Sequence, residues 1–178
     1  MGVAKGLVGQ LLSVEQIQTK VAELGARISQ DYAGQEVLVV GILKGAFVFC
    51  ADLLRTMTVR AEVDFMAVSS YGQGTESSGV VKIIKDLDAS VAGRHVLLVE
   101  DIVDSGLTLR YLREYLEHQH PTSVKICVLL DKPSRRKTEV HVDYTGFTIP
   151  DEFIVGYGID YAEQYRNLPF IGIIGETN

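Results

Sequence analysis

Cysteine is scarce in this chain: only Cys50 and Cys127 occur, each inside an apolar run (Phe-Val-Phe-Cys and Ile-Cys-Val-Leu-Leu). That excludes a disulfide scaffold or a cysteine-based metal site, and it predicts buried free thiols in a reducing cytoplasm. No apolar run approaches the ~18 residues that a membrane span needs, and residues 1–12 show no secretory pattern. The opening Met-Gly resembles a myristoylation start, but Gly6 stands where that motif requires Ser or Thr. Cationic charge is in deficit, with 17 Lys and Arg against 23 Asp and Glu, a net −6. This argues against a broad nucleic-acid surface and favours local sites for small anions. There is no G-x-x-x-x-G-K-[ST] loop, so Walker-type nucleotide binding is excluded. The four histidines, His95, His118, His120 and His141, lack metal-ligand spacing, and no Ser or Cys sits in a nucleophile setting.

What is present is apolar material for one core, 47% of 178 residues, with only four prolines and no linker-like stretch. One domain over residues 1–178 is expected. Ser13 with Gln16 makes a capping box, and Val14, Ile17, Val21, Leu24 and Ile28 recur at helical spacing until Gly34. Val37 to Leu43 reads as a buried strand and Ala46 to Leu54 as a covering helix. Strands follow at 63–69, 80–84 and 96–100, then a helix over about 108–118 and a strand at 124–130. Short strands are expected at 140–144, 153–156 and 170–174. The alternation predicts an α/β fold with a mostly parallel central sheet, right-handed crossovers and flanking helices.

The segment from Val96 to Leu109 carries the most chemistry. Val96-Leu-Leu-Val99 runs into Glu100 and Asp101, placing two acids at the carboxyl end of a buried strand, where open α/β sheets bind ligands. Adjacent carboxylates there can address sugar hydroxyls or a Mg2+ ion. Asp104-Ser105-Gly106-Leu107-Thr108 then supplies backbone N–H groups, two hydroxyls and a helix start that favours phosphate. Taken alone, Asp104, Ser105 or Thr108 could simply cap that helix. The pairing of Glu-Asp with Asp-Ser-Gly-x-Thr behind such a strand closely resembles the phosphoribosyl-pyrophosphate (PRPP) motif of the type I phosphoribosyltransferases.

Further segments fall in that family's order. Leu43-Lys44-Gly45-Ala46 lies between a strand and a helix; by itself it reads as a tight turn, but it resembles the family's pyrophosphate loop, whose Lys-Gly peptide has an unusual geometry that Gly45 would ease. Ser69 to Gly79 reads as a polar hairpin loop or, by resemblance, as the catalytic lid, with Ser70 and Tyr71 as pyrophosphate contacts. Leu130-Asp-Lys-Pro133 resembles the base-selecting segment of the 6-oxopurine transferases, where an ammonium with donors only would select an oxo group; otherwise Lys132 is a surface lysine. Arg135, Arg136 and Lys137 read as a solvated turn. Pro150 to Pro169 looks like the family's purine-binding and C-terminal signature. There Phe153 offers a flat face to a base, main-chain groups at Ile154 and near Asp160 read its edge, Asp160 approaches a Mg2+ shell and Arg166 meets pyrophosphate. Tyr157, Tyr161 and Tyr165 are left to the core.

The resemblance covers most of residues 37–174 and implies a hypoxanthine/guanine phosphoribosyltransferase fold, with a core over about 35–150 and a small hood lobe from about 1–12 and 150–178. It further implies Mg2+ held by Glu100, Asp101 and Asp160, ribose held by the first two, Asp104 as general base, PRPP and a 6-oxopurine as substrates, and a homo-oligomer, dimer or tetramer. Leu107 replaces the Lys or Asn of some relatives at a position where phosphate contacts are largely backbone and hydroxyl. Two rivals remain at this stage: a PRPP-sensing regulator of the same fold that binds nucleic acid, and a transferase for adenine, orotate or uracil. The acidic chain speaks against the first, and Lys132 with the Phe153–Asp160 stretch against the second.

Overall fold

The computed structural model describes residues 5–71 and 80–176. Their elements, in chain order, are β1 (Lys5–Leu12), α1 (Val14–Asp31), β2 (Glu36–Leu43), α2 (Phe47–Thr56), β3 (Arg60–Tyr71) and β4 (Val80–Lys85). There follow β5 (His95–Val103), α3 (Leu107–Glu117), β6 (Ser123–Asp131), β7 (Tyr144–Thr148), β8 (Ile154–Val155) and β9 (Ile171–Glu176). A six-stranded sheet runs β4-β3-β2-β5-β6-β7, parallel throughout except for β4, which pairs antiparallel with β3. A separate antiparallel sheet, β1-β9-β8, forms a small lobe. This is the α/β architecture the sequence predicts.

The period-two alternation of the central strands sorts side chains between two cores. Val37, Val39, Leu97, Val99, Cys127 and Leu129 face α1 and α2, packing with Ile17, Leu24, Ile28, Phe49 and Leu53. Their neighbours Leu38, Val40, Val96, Leu98, Ile126 and Val128 face Leu109, Leu112 and Leu116 of α3. Leu12, Ile149, Ile154, Tyr157 and Ile171 join the first core, so the small lobe is continuous with the main body through apolar contacts. Cys50 and Cys127 are both buried as free thiols, and burial pushes the Cys50 thiol up to about 11.

Local chemistry sets the element boundaries. Ser13 accepts from the Gln16 amide at 3.2 Å while the Gln16 side chain accepts from the Ser13 amide at 2.8 Å, closing the predicted capping box. Two strand readings are corrected. Residues 5–12, to which the sequence assigned no element, form β1 because β9 offers a complementary edge. The strand expected at 140–144 begins only at Tyr144, because Asp143 turns its side chain onto the Ile126 amide at 2.9 Å. Residues 140–143 instead carry Val140 and Val142 against the α3 core.

Gly25 lies where α1 crosses α2, and a methyl group there would overlap Thr56 Oγ1. Alanine is the better helix former by about 1 kcal/mol, but overpacking a fixed contact costs about 1–3 kcal/mol. Gly25→Ala is therefore expected to lower the urea unfolding midpoint despite its gain in helix propensity.

Candidate active site

The sheet order makes β2 and β5 neighbours although β3 follows β2 in the chain, so the connections leave their carboxyl ends in opposite senses and a crevice opens between them. Lys44-Gly45 lines one side of that crevice and Glu100-Asp101 the other. Strand β5 continues past the acids to Val103, correcting the expected end at Glu100. Ile102 pairs with Leu130 and Val103 with Asp131, and this extra length carries Asp104 beyond the sheet edge, where its side chain is exposed.

Glu100 is 8% exposed. Burial first, and then the adjacent Asp101 carboxylate, hold its carboxyl well above the usual range. Burial also raises Asp101, against the Ile102 amide, which donates to its Oδ1 at 2.7 Å, and the attraction of Arg166. A buried carboxylate beside a half-buried one is disfavoured when both are ionised, so the pair calls for a cation or hydroxyl donors.

Asp104 to Thr108 form a turn into α3 and, with Glu100 and Asp101, line a pocket of about 140 Å³. Gly106 is the residue before the helix and adopts φ 82°, which a side chain would resist, and its Cβ position would press on the Thr138 carbonyl. No side chain caps α3 at that residue. Ser105 Oγ instead accepts weakly from the Leu107 amide at 3.3 Å, so the capping reading of Asp104 and Thr108 does not hold. The turn is braced from behind: the Ser105 carbonyl accepts from the amides of Lys137 and Thr138, and the Asp104 carbonyl from Arg136 Nε at 3.1 Å. Arg136 also pairs with Asp131, and Arg135 with Asp151; Arg135 is 55% exposed and Lys137 is exposed, so the turn is solvated as the sequence predicts, and these two ion pairs clip it. Sequence reasoning missed them because each partner is brought near by the fold.

Three segments meet at Gly45. A side chain there would overlap the Asp101 carboxylate, and one at Gly158 would overlap the Gly45 carbonyl. The unusual peptide in this loop is the cis bond Leu43–Lys44, one residue before the Lys-Gly bond expected; Gly45 is needed for space. Arg166 reaches the same place, donating to the Gly158 carbonyl at 2.7 Å and pairing with Asp160 at 2.9 Å. Asp160 thus pairs with the arginine, and among the described residues no three His, Cys, Asp or Glu side chains cluster as a metal site. The adjacent acids Glu100 and Asp101 are a fitting place for Mg2+, which commonly takes one or two carboxylates and completes its shell with water and substrate oxygens.

Lys132 is not a surface lysine: it is 8% exposed, with Nζ donating to the Glu152 carbonyl at 2.8 Å and lying 3.8 Å from Asp151. Phe153, 53% exposed, is adjacent in the chain to that carbonyl, and Ile154 begins β8. Of the tyrosines left to the core only Tyr157 is buried; Tyr161 packs edge-on against Phe153 with ring centroids 5.3 Å apart, and Tyr165 is half-buried. Ser70 and Tyr71 end β3, their side chains are outside the described residues, and so is the rest of the expected lid, residues 72–79.

The fold and this arrangement define a class, and comparison with known proteins agrees. A phosphoribosyl transferase domain model matches residues 8–162. The chain belongs to the phosphoribosyl transferase family. It is 56% identical over 164 residues to the hypoxanthine-guanine phosphoribosyltransferase of Bacillus subtilis (strain 168), covering 92% of this chain and 91% of that protein. It is 52% identical over 170 residues to the hypoxanthine phosphoribosyltransferase of Salmonella typhimurium, covering 94% and 96%. The bifunctional protein TilS/HprT of Listeria monocytogenes is 56% identical over 164 residues, and there the chain spans about a quarter of the relative's length, 25%. Among solved structures, a hypoxanthine-guanine phosphoribosyltransferase of Bacillus anthracis superposes with a TM-score of 0.90 at 48% identity, covering 97% of this chain and 100% of that one.

Glu100→Gln tests the buried pair. Because the folded-state carboxyl titrates above its unfolded value, the protonated form stabilises the fold, and that contribution is lost as pH rises through the raised folded value. The variant should melt higher than wild type at about pH 8 and nearly the same at about pH 4, where the wild-type side chain is itself protonated. Equal melting temperatures across that range would show that Glu100 is not strained.

Proposed function

We propose that the chain transfers the 5-phosphoribosyl group of PRPP to hypoxanthine and/or guanine, giving IMP or GMP and pyrophosphate, in purine salvage. The juxtaposition that carries this reading is a phosphate-type turn at Asp104–Thr108, the adjacent acids Glu100 and Asp101 and the buried Lys132 beside Phe153, all at one sheet edge. The relatives bear the same transferase names. A nucleic-acid-binding regulator finds no support in them.

In this reading the amides and hydroxyls of residues 104–108 hold the 5′-phosphate, and Glu100 and Asp101 hold the ribose hydroxyls. Lys44, Gly45, Ser70, Tyr71 and Arg166 neutralise the departing pyrophosphate. Glu100, Asp101 and Asp160 would hold Mg2+, which would supply positive charge to the diphosphate. The bond from the anomeric carbon to pyrophosphate breaks and a bond to a purine nitrogen forms. Asp104, exposed over the pocket, takes the proton from N7 of the base. Lys132 Nζ, positioned by the Glu152 carbonyl, donates to the 6-oxo group, an amino group there having no lone pair to offer. Phe153 stacks on the ring while main-chain groups at Ile154 and near Asp160 read its edge. The chain acts as one unit, in a reducing cytoplasm that suits its buried thiols, and as a dimer or tetramer.

Steady-state formation of nucleotide from PRPP and MgCl2, with hypoxanthine, guanine, xanthine and adenine offered separately, tests the reading. The oxopurines should be converted and adenine should not; conversion of adenine, or of no base, would overturn it. Losing a positioned general base costs ~10²–10⁴-fold. Asp104→Asn should therefore lower kcat within that range and leave PRPP affinity largely intact, and near-normal turnover would remove Asp104 from that role.

A further inference from the structure

Glu163 is none of the residues assigned above to substrate, yet it stands between two that are. Its Oε2 lies 3.1 Å from Lys44 Nζ and 3.4 Å from Arg166 Nη2. Lys44 comes from the turn after β2, 119 residues away, so the fold has brought this carboxylate to the pyrophosphate cations from a separate segment.

The segment is built to hold it there. Ala162 and Glu163 both adopt left-handed backbone, φ 50° and 62°, which residues with a Cβ rarely take. The Glu163 amide donates to Asp160 Oδ2 at 2.8 Å while Asp160 Oδ1 pairs with Arg166. Arg166 Nε is buried and meets no acceptor among the described residues, so the two carboxylates around this guanidinium leave one of its donors unserved there.

We propose that Glu163 is an internal stand-in for pyrophosphate: it joins Lys44 to Arg166 in the ligand-free chain, competes with the diphosphate for both cations, and so weakens pyrophosphate binding and speeds its departure. This rests on the assignment of Lys44 and Arg166 to pyrophosphate made above. A single carboxylate carries less charge than a diphosphate, so the ligand displaces it. Glu163 and Lys44 are each 67% exposed, and solvated pairs of this kind shift an equilibrium by only about 2–5-fold. The residue therefore tunes the site without closing it.

Calorimetric titration of the full chain with inorganic pyrophosphate in excess MgCl2 reads the effect directly. Glu163→Gln and Glu163→Ala should each lower the pyrophosphate Kd by about 2–5-fold, with the gain shrinking at high salt. GMP, which carries no diphosphate, should bind both variants as it binds wild type. Pyrophosphate affinity that is unchanged or weaker, with GMP binding retained, overturns the role of Glu163 alone. Loss of GMP binding in both variants would make the residue structural and overturn it as well. If Lys44→Met in an otherwise wild-type chain leaves pyrophosphate affinity unchanged, the pyrophosphate site itself falls, and this inference with it.

Discussion

The close approach of Gly45 to Asp101 on one side and to Gly158 on the other is the contact on which the site depends. It joins three parts of the chain that are far apart in sequence: the turn after β2, the end of β5 and the segment that follows β8. Atoms packed so tightly leave no room for a side chain, and interiors at this density transmit a displacement instead of absorbing it. The separation of the lysine loop, the acid pair and Arg166 is thereby fixed by backbone. Sites positioned this way need little reorganisation when substrate arrives.

Around that contact, charge is arranged at some cost to the empty protein. Glu100 is buried beside the half-buried Asp101, and among the described residues no basic side chain is paired with Glu100, a state that destabilises the ionised forms. Lys132 is buried beside a carbonyl and an aspartate that hold it in place without neutralising it by direct contact. The positive charges on the opposite wall, Lys44 and Arg166, are by contrast already paired, with Glu163 and Asp160. In the proposed reaction one wall would take a cation and hydroxyls, and the other would exchange internal anions for a ligand's.

The small lobe supplies what the parallel sheet cannot. Strand β8 has only two residues, pairing Ile154 with Ile173 and Val155 with Gly172, and it sets Phe153 at the rim while Ile154 stays in the core. Beyond it, Tyr157, Ala162, Glu163 and Tyr165 all take positive φ. Such a run persists only where surrounding contacts over-determine it, here the Gly156 and Ile159 bridge, the Tyr161 and Gln164 bridge and the arginine held by Gly158.

Much of this was legible in order along the chain. The capping box at Ser13, the buried runs of β2, β5 and β6 and the turn from Asp104 to Thr108 are local patterns, and local propensity with hydrophobic periodicity is enough to place them. The residues of the turn at 104–108, the acid pair, Lys44, Lys132 and Arg166 could be named from motifs because each motif is contiguous. What sequence could not supply was pairing across distance. The N-terminal strand becomes visible only when β9 offers it an edge, and Arg136 is a clip only because Asp131 and the Asp104 carbonyl are folded beside it. Tyr161 leaves the core for Phe153, Asp160 turns to Arg166, and Glu163 reaches Lys44 across 119 residues. The sequence by itself determined which groups the protein carries and on which elements, since those depend on neighbours within a few residues; only the tertiary structure decided which charges meet and which stay unpaired, because burial and distance are properties of the packed chain.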